Sequence, residues 1–191
     1  MANQPSLEYY PLTTERWDDF ETLFGTKGAC GGCWCMHWRL SRAEFDDNKG
    51  DGNRDAMLRL VNSGKVPGIL AYSDGKPIGW CAVAPREEYA GLQRSRIFAP
   101  VDDQPVWSIV CLFVAKPFRR TGVSVGLIKS AVDFVKQNGG KIVEGYPNDN
   151  MTKPSPDPFI FTGIVSAFQK AGFIEALRRS NHRPIMRIII Q

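Results

Sequence analysis

Ten residues, 106–115 (VWSIVCLFVA), carry no formal charge and are rich in Val, Ile, Leu, Phe and Trp. An apolar run of that length predicts a central strand buried on both faces. The period then changes: Val123, Leu127, Ile128, Ala131, Val132 and Val135 recur at three- and four-residue spacing, with Lys129, Asp133, Lys136 and Gln137 off the stripe. This predicts an amphipathic helix, closed by Gly139 and Gly140.

Before that unit, residues 7–12 predict a short strand, and Thr14 is placed to cap a helix with Glu15 in its first turn, Trp17, Phe20 and Phe24 on one face, and Gly25 as its stop. Residues 41–52 are polar, with room for a short helical turn and a flexible, charged loop expected at 46–53. Asn53 is expected to cap a helix that turns Met57, Leu58 and Val61 inward and closes at Gly64. Residues 66–72 and 77–84 alternate as strands around Asp74-Gly75, a hairpin signal. Residues 85–105 form a long connection, of a length that is usually functional or mobile. After the central helix come a strand (141–146), a wrapping segment with four prolines (147–158), a short helix (162–171) ended by Gly172, and two closing strands (173–178 and 184–190). The order supports an α/β or α+β domain without choosing between them.

The turn that joins the central strand to its helix, residues 116–124 (KPFRRTGVS), is basic and contains one glycine. A helix N-terminus presents unpaired N–H groups at the positive end of its dipole. Gly122 keeps a side chain away from those amides, and Arg119 and Arg120 add full charge at the rim, so the turn predicts an anion site. The chain contains neither G-x-x-x-x-G-K-[ST] nor G-x-G-x-x-G, which argues against a P-loop nucleoside triphosphatase or a dinucleotide enzyme.

With 191 residues, 43% hydrophobic and 23% charged, the chain suits one globular domain spanning residues 1–191. Its net charge of +4 comes without a dense Lys/Arg run, so no nucleic-acid partner is expected. No apolar run approaches membrane-spanning length, and the first residues lack a charged-then-apolar leader, so a cytoplasmic protein with no membrane partner is expected. Five cysteines fit reduced thiols better than a disulfide framework. The apolar run 185–190 would be an exposed edge strand unless something covers it, and a homodimer is one such cover.

The strand end Leu112-Phe113-Val114 followed by Arg119-Arg120-Thr121-Gly122-Val123-Ser124 resembles the GNAT N-acetyltransferase superfamily, whose pyrophosphate signature is [RQ]-x-x-G-x-[GA] after an apolar strand. Ser124 at the last small position is a mild departure. The element order is similar to the GNAT fold, and the resemblance implies a mixed, mostly antiparallel sheet with helices on both faces. It also implies acetyl-CoA as cofactor, lying in a wedge where the central strand and the next one splay apart. The main-chain groups of Leu112, Phe113 and Val114 would pair with the pantetheine arm, and Arg119 to Ser124 would hold the pyrophosphate. The Val114 N–H would polarise the thioester, which a primary amine attacks directly.

The base candidates are Glu144, Cys111, His37 and Asp149, and Glu144 is preferred as a half-buried carboxylate on the strand bordering the wedge. Cys111 reads as a core cysteine and Asp149 as a turn residue. Where the family carries a Tyr that protonates the leaving thiolate this chain has Phe168, and Phe161 replaces an Asn seven residues earlier. A thiol with an ordinary pKa of about 8.5 is still a tolerable leaving group. Cys30, Cys33, Cys35 and His37 supply four soft ligands, but Cys-x-Cys-x-His is tighter than common zinc spacings, so no metal is assigned. If extended, that segment puts Cys33, Cys35 and His37 on one face and Trp34, Met36 and Trp38 on the other. Trp34, Trp38 and Arg39 are then expected to bind an aromatic or anionic acceptor, whether small molecule or peptide. The reading is an acetyl-CoA-dependent N-acetyltransferase, with a catalytically silent CoA-binding protein or a Cys/His metal or redox sensor as alternatives.

Overall fold

The computed structural model describes residues 6–149 and 160–191. Strands β1 (Leu7–Pro11), β2 (Gly68–Ser73), β3 (Lys76–Pro85), β4 (Trp107–Val114), β5 (Ile142–Gly145), β6 (Ile174–Arg178) and β7 (Pro184–Ile189) form one sheet in the order β1-β2-β3-β4-β5-β7-β6. Every neighbouring pair is antiparallel except β4 and β5. The sheet is therefore mixed and mostly antiparallel, with helices on both faces, as the resemblance implied.

Side chains alternate across the pleat and feed two cores. On one face, Trp80, Ala82 and Val110 pack with residues of α1 (Trp17–Phe24), α3 (Asp51–Asn62) and α4 (Ala90–Gln93). On the other, Cys81, Val83 and Ile109 pack against α5 (Val123–Gln137) and α6 (Val165–Lys170). Helix α5 is the element the apolar stripe announced: Val123, Leu127, Ile128, Ala131 and Val135 are buried. Leu127 is fully covered, so its truncation to Ala would cost about 2–5 kcal/mol, a large share of a typical domain stability of about 5–15 kcal/mol.

Several expectations are corrected. Thr14 opens a 3-10 turn (Thr14–Arg16) instead of capping α1; extended Thr13 precedes it, and no side chain caps that end. The short helical turn expected within 41–52 is α2 (Arg42–Asp47), started by a capping box in which Ser41 and Glu44 satisfy each other's backbone N–H groups, but the charged loop expected at 46–53 shrinks to residues 48–50 because α3 begins at Asp51. Asn53 lies inside α3, fully buried, and its Nδ2 donates to the carbonyls of Gly32 (3.0 Å) and Phe45 (3.3 Å). Its amide ties two segments together and is not available to cap. The long connection 85–105 is folded down by buried Tyr89, Leu92 and Phe98. Strand β7 lies between β5 and β6, so its backbone is paired on both sides and it is not an edge. The wrapping segment 147–158 falls mostly outside the described residues.

Candidate functional site

Strands β4 and β5 share three pairs, Trp107↔Val143, Ser108↔Glu144 and Ile109↔Gly145, and then separate, while β4 runs on to Val114. Register with β3 decides which main-chain groups face the gap. Ala115 N–H donates to Ile78 O at 2.8 Å, and Trp80 opposes Phe113, so by antiparallel alternation the polar groups of Phe113 face β3. Those of Leu112 and Val114 face the gap. The expected three-residue pantetheine contact thus reduces to two backbone positions, with Phe113 offering only its side chain.

The gap already holds a segment of this chain. Leu112 N–H donates to Phe161 O at 2.6 Å, and Asn148, just past β5, bridges to Ile164. Beside this segment lies a cavity of about 530 Å³ lined by the Leu112–Val114 end of β4, by Arg119, Arg120, Val123 and Ser124, by Ile160, Phe161, Gly163 and Ile164, and by Cys30. That volume is in the range of small-molecule sites.

The basic turn forms the other end of this cavity. Arg119 Nε donates to Val114 O at 3.0 Å, and Thr121 Oγ1 donates to Phe118 O at 2.7 Å, so the turn is braced before the helix begins. Arg120 and Gly122 both have positive φ, 64° and 91°, and Gly122 is the residue from which α5 starts. A Cβ on Gly122 would meet nothing within 4 Å, so the space before the amides is open. Arg119, Arg120 and Thr121 are exposed around it, while Val123 is buried and anchors the helix. An exposed basic turn thus opens directly onto the N-terminus of α5.

Glu144 is placed otherwise than a base requires. It is fully buried, its Oε1 accepts from Arg187 Nη2 (2.7 Å) and Nε (3.1 Å), and its Oε2 accepts from Tyr146 OH (2.9 Å). Tyr146 also contacts Ser108 Oγ (2.9 Å) and Arg86 Nη1 (2.7 Å). Glu144 sits opposite Ser108, about 20 Å from Val114 at roughly 3.3 Å per residue along β4. Both carboxylate oxygens are occupied within a structural network that spans β4, β5 and β7.

The cysteine segment is coiled, not extended. Gly28, Ala29, Gly31, Gly32, Trp34 and Cys35 all have positive φ, so the two-face alternation fails and Trp34, Cys35 and Met36 are buried in succession. Gly28 has no side chain because the Trp34 indole lies where its Cβ would be, at 2.5 Å. Trp34 stacks on Phe24 at 5.8 Å and is core. Arg39 binds Glu88 at 2.8 Å and lies over the Tyr89 ring, so its charge is satisfied internally. Of the three expected acceptor residues only Trp38 keeps an unmatched group, its buried Nε1. Trp80 Nε1 donates to Cys35 Sγ at 3.1 Å, and the hydrogen bond from Cys111, with that of Trp80, holds the Cys35 thiol below its ordinary pKa against burial. Among the described residues no group of three or more His, Cys, Asp or Glu could hold a metal ion.

His37 and Arg183 are the residues that the sequence reading undervalued. The His37 ring meets Phe45 at 5.2 Å and Phe161 at 5.8 Å, and though the residue reaches solvent, partial desolvation by these neighbours lowers its pKa from the usual imidazole value. Arg183 reaches Tyr146 O (3.1 Å) and Thr162 Oγ1 (3.2 Å). Only the lone histidine in an aromatic run could have flagged the first, and nothing in the local pattern flags the second. Phe168 is fully buried between two glycines: a Cβ on Gly145 would lie 2.1 Å from its ring and one on Gly163 2.9 Å.

The sequence model described as the acetyltransferase (GNAT) family matches residues 34–152. No curated protein matches the chain. Among solved structures, the chain is similar to the PaiA N-acetyltransferase of Thermoplasma acidophilum in complex with coenzyme A, with a TM-score of 0.55 at 13% identity over 97% of this chain and 99% of that one. It is similar to Ard1 of Thermoplasma volcanium, with a TM-score of 0.53 at 12% identity over 97% and 98% of the two chains. A GNAT-family acetyltransferase of Streptococcus agalactiae gives 0.55 at 13% identity over 97% and 96%. At these identities the likeness is one of fold, and no described helix is long and apolar enough to cross a membrane. Since the family match spans more than half of its residues, the chain belongs to the GNAT acetyltransferase family, whose cosubstrate is acetyl-CoA.

Proposed function

We propose that this chain acts as a single domain that transfers acetyl from acetyl-CoA to a primary amine by direct attack. The observation that carries the reading is the open cradle before Gly122 in one continuous cavity with the gap-facing main chain of Leu112 and Val114. The diphosphate would lie against the amides of residues 121–124, with Arg119 and Arg120 at its rim and Ser124 offering a hydroxyl. The pantetheine would run along Leu112 and Val114, past the Phe113 side chain, with the Val114 N–H directed at the thioester oxygen, where charge develops as the amine adds.

His37 is assigned to accept the amine's proton through water. It touches Phe161 beside the cavity, and its lowered pKa keeps it neutral near pH 7. Glu144 is assigned to hold Tyr146 and Arg187 in place. With Phe168 unable to donate a proton, solvent protonates the departing thiolate.

The test is calorimetry with acetyl-CoA, followed by free-thiol release across a panel of primary amines. Binding with amine-dependent thiol release is expected. Binding without release for any amine would instead favour a silent CoA-binding protein, and no binding would remove the reading altogether.

A further inference from the structure

Burying a guanidinium without a counter-charge is costly, so folds that bury arginines pair them. Here Arg39, Arg86 and Arg187 lie 2.8, 3.9 and 2.7 Å from the carboxylates of Glu88, Glu144 and Glu144 respectively. Arg183 departs from that pattern. No described carboxylate lies within 4.0 Å of it; its Nη2 is held only by the neutral oxygens of Tyr146 and Thr162, and its Nε is buried with no hydrogen-bond partner. Burial alone acts on its charge and pulls its pKa down.

A second orphaned donor stands close by. The guanidinium lies 5.0 Å over the Phe98 ring, and Trp38 packs on the same ring at 6.0 Å with its Nε1 buried and unbonded. Two unmatched N–H donors, one cationic, thus flank one aromatic ring. Nothing in the described fold supplies an acceptor for either.

The position of this pair connects it to the transfer site. Thr162, which Arg183 holds, directly follows Phe161, whose carbonyl takes the Leu112 N–H. One residue spacing of about 3.8 Å and one hydrogen-bonded chain-to-chain spacing of about 4.8 Å separate the guanidinium's anchor from Leu112 at the β4 gap. An anion on Arg183 Nε, a short linker and an attacking nitrogen about 3 Å from the thioester carbon span a similar distance.

We infer that Arg183, with Trp38 as second donor, anchors a carboxylate on the acceptor, which makes the acceptor an amino carboxylate of amino-acid size and not a simple alkylamine. This rests on the acetyl-transfer reading above. The carboxylate supplies the missing counter-charge, accepts from Arg183 Nε, and leaves the amine pointing to the gap. Trp38 adds a neutral donor and an aromatic wall beside Phe98.

The experiment compares free amino acids with their own C-terminal amides, which keep the amine and the size but lose the charge. Thiol release from acetyl-CoA is measured for wild type, Arg183→Gln and Trp38→Phe, with calorimetry of acetyl-CoA on each. The wild type is expected to favour the acid over its amide by about tenfold or more in kcat/KM, the worth of one charge-assisted bond. That ratio should collapse toward one in Arg183→Gln and fall less in Trp38→Phe, with the loss in KM. Arg183→Lys, which keeps the charge without the fork, should retain part of the preference, and it serves if the Gln variant does not fold. Amides used as well as acids by the wild type, or a ratio unchanged in Arg183→Gln, would overturn the inference while leaving acetyl transfer intact. A wild type that does not bind acetyl-CoA would overturn the underlying reading instead.

Discussion

Replacing Gly122 by alanine separates the two reasons a glycine is there. At φ 91° and ψ −5° the residue is left-handed, where a Cβ costs about 1–2 kcal/mol. A Cβ would meet nothing within 4 Å, so no steric term adds to this in the free protein. For a chain of this size that corresponds to a melting temperature lower by about 2–8 °C. In the complex the same methyl group would stand in the space before the α5 amides and keep a phosphate oxygen from approaching. Losing one hydrogen bond to a charged group costs about 1.5–3 kcal/mol, or about 10- to 100-fold in affinity. Calorimetry with acetyl-CoA and with acetyl-pantetheine, which lacks the diphosphate, reads this out. Gly122→Ala should weaken the first by that factor and leave the second near its wild-type value. An unchanged acetyl-CoA affinity, or equal weakening of both ligands, would refute the cradle.

Adding a hydroxyl by Phe168→Tyr should lower stability by about 1–3 kcal/mol, since the ring is fully buried and its end lies 2.5 Å from where a Gly145 Cβ would be; a raised melting temperature would contradict this. Glu144→Gln should cost about 3–5 kcal/mol by leaving largely buried Arg86 without its carboxylate and Arg187 with Asp102 alone, yet any folded fraction should keep its acetyl-CoA affinity; loss of activity at full stability would return Glu144 to the role of base. If His37 accepts the proton, kcat/KM should fall as pH drops through a value below 6.5, because partial desolvation depresses its pKa and the neutral form is needed. That acid limb should disappear in His37→Gln, and its persistence there would assign the base elsewhere.

The central unit was legible because its determinants are local. An uncharged ten-residue run, a glycine at the turn and a three-to-four spacing each act within a few residues, and they give β4, the turn at Gly122 and α5 without reference to the rest of the chain. The Glu144 role was not legible, because it depends on Arg187, 43 positions away, and on Tyr146 bridging to Ser108. The Trp34 and Arg39 reading failed for a different reason: alternation assumes an extended backbone, and six residues of positive φ coil the segment instead. For Arg183 the signal is that no described carboxylate pairs with it, which can be read only from neighbours distant in sequence.

A sheet that parts in its interior, not at its rim, leaves backbone donors stranded where water is scarce. The Phe161 carbonyl at 2.6 Å serves as a placeholder for one of them, so the empty fold keeps Leu112 quenched. Any arriving ligand that claims this amide swaps one acceptor for another and gains little from the trade itself. Selectivity must then come from the far end of the ligand.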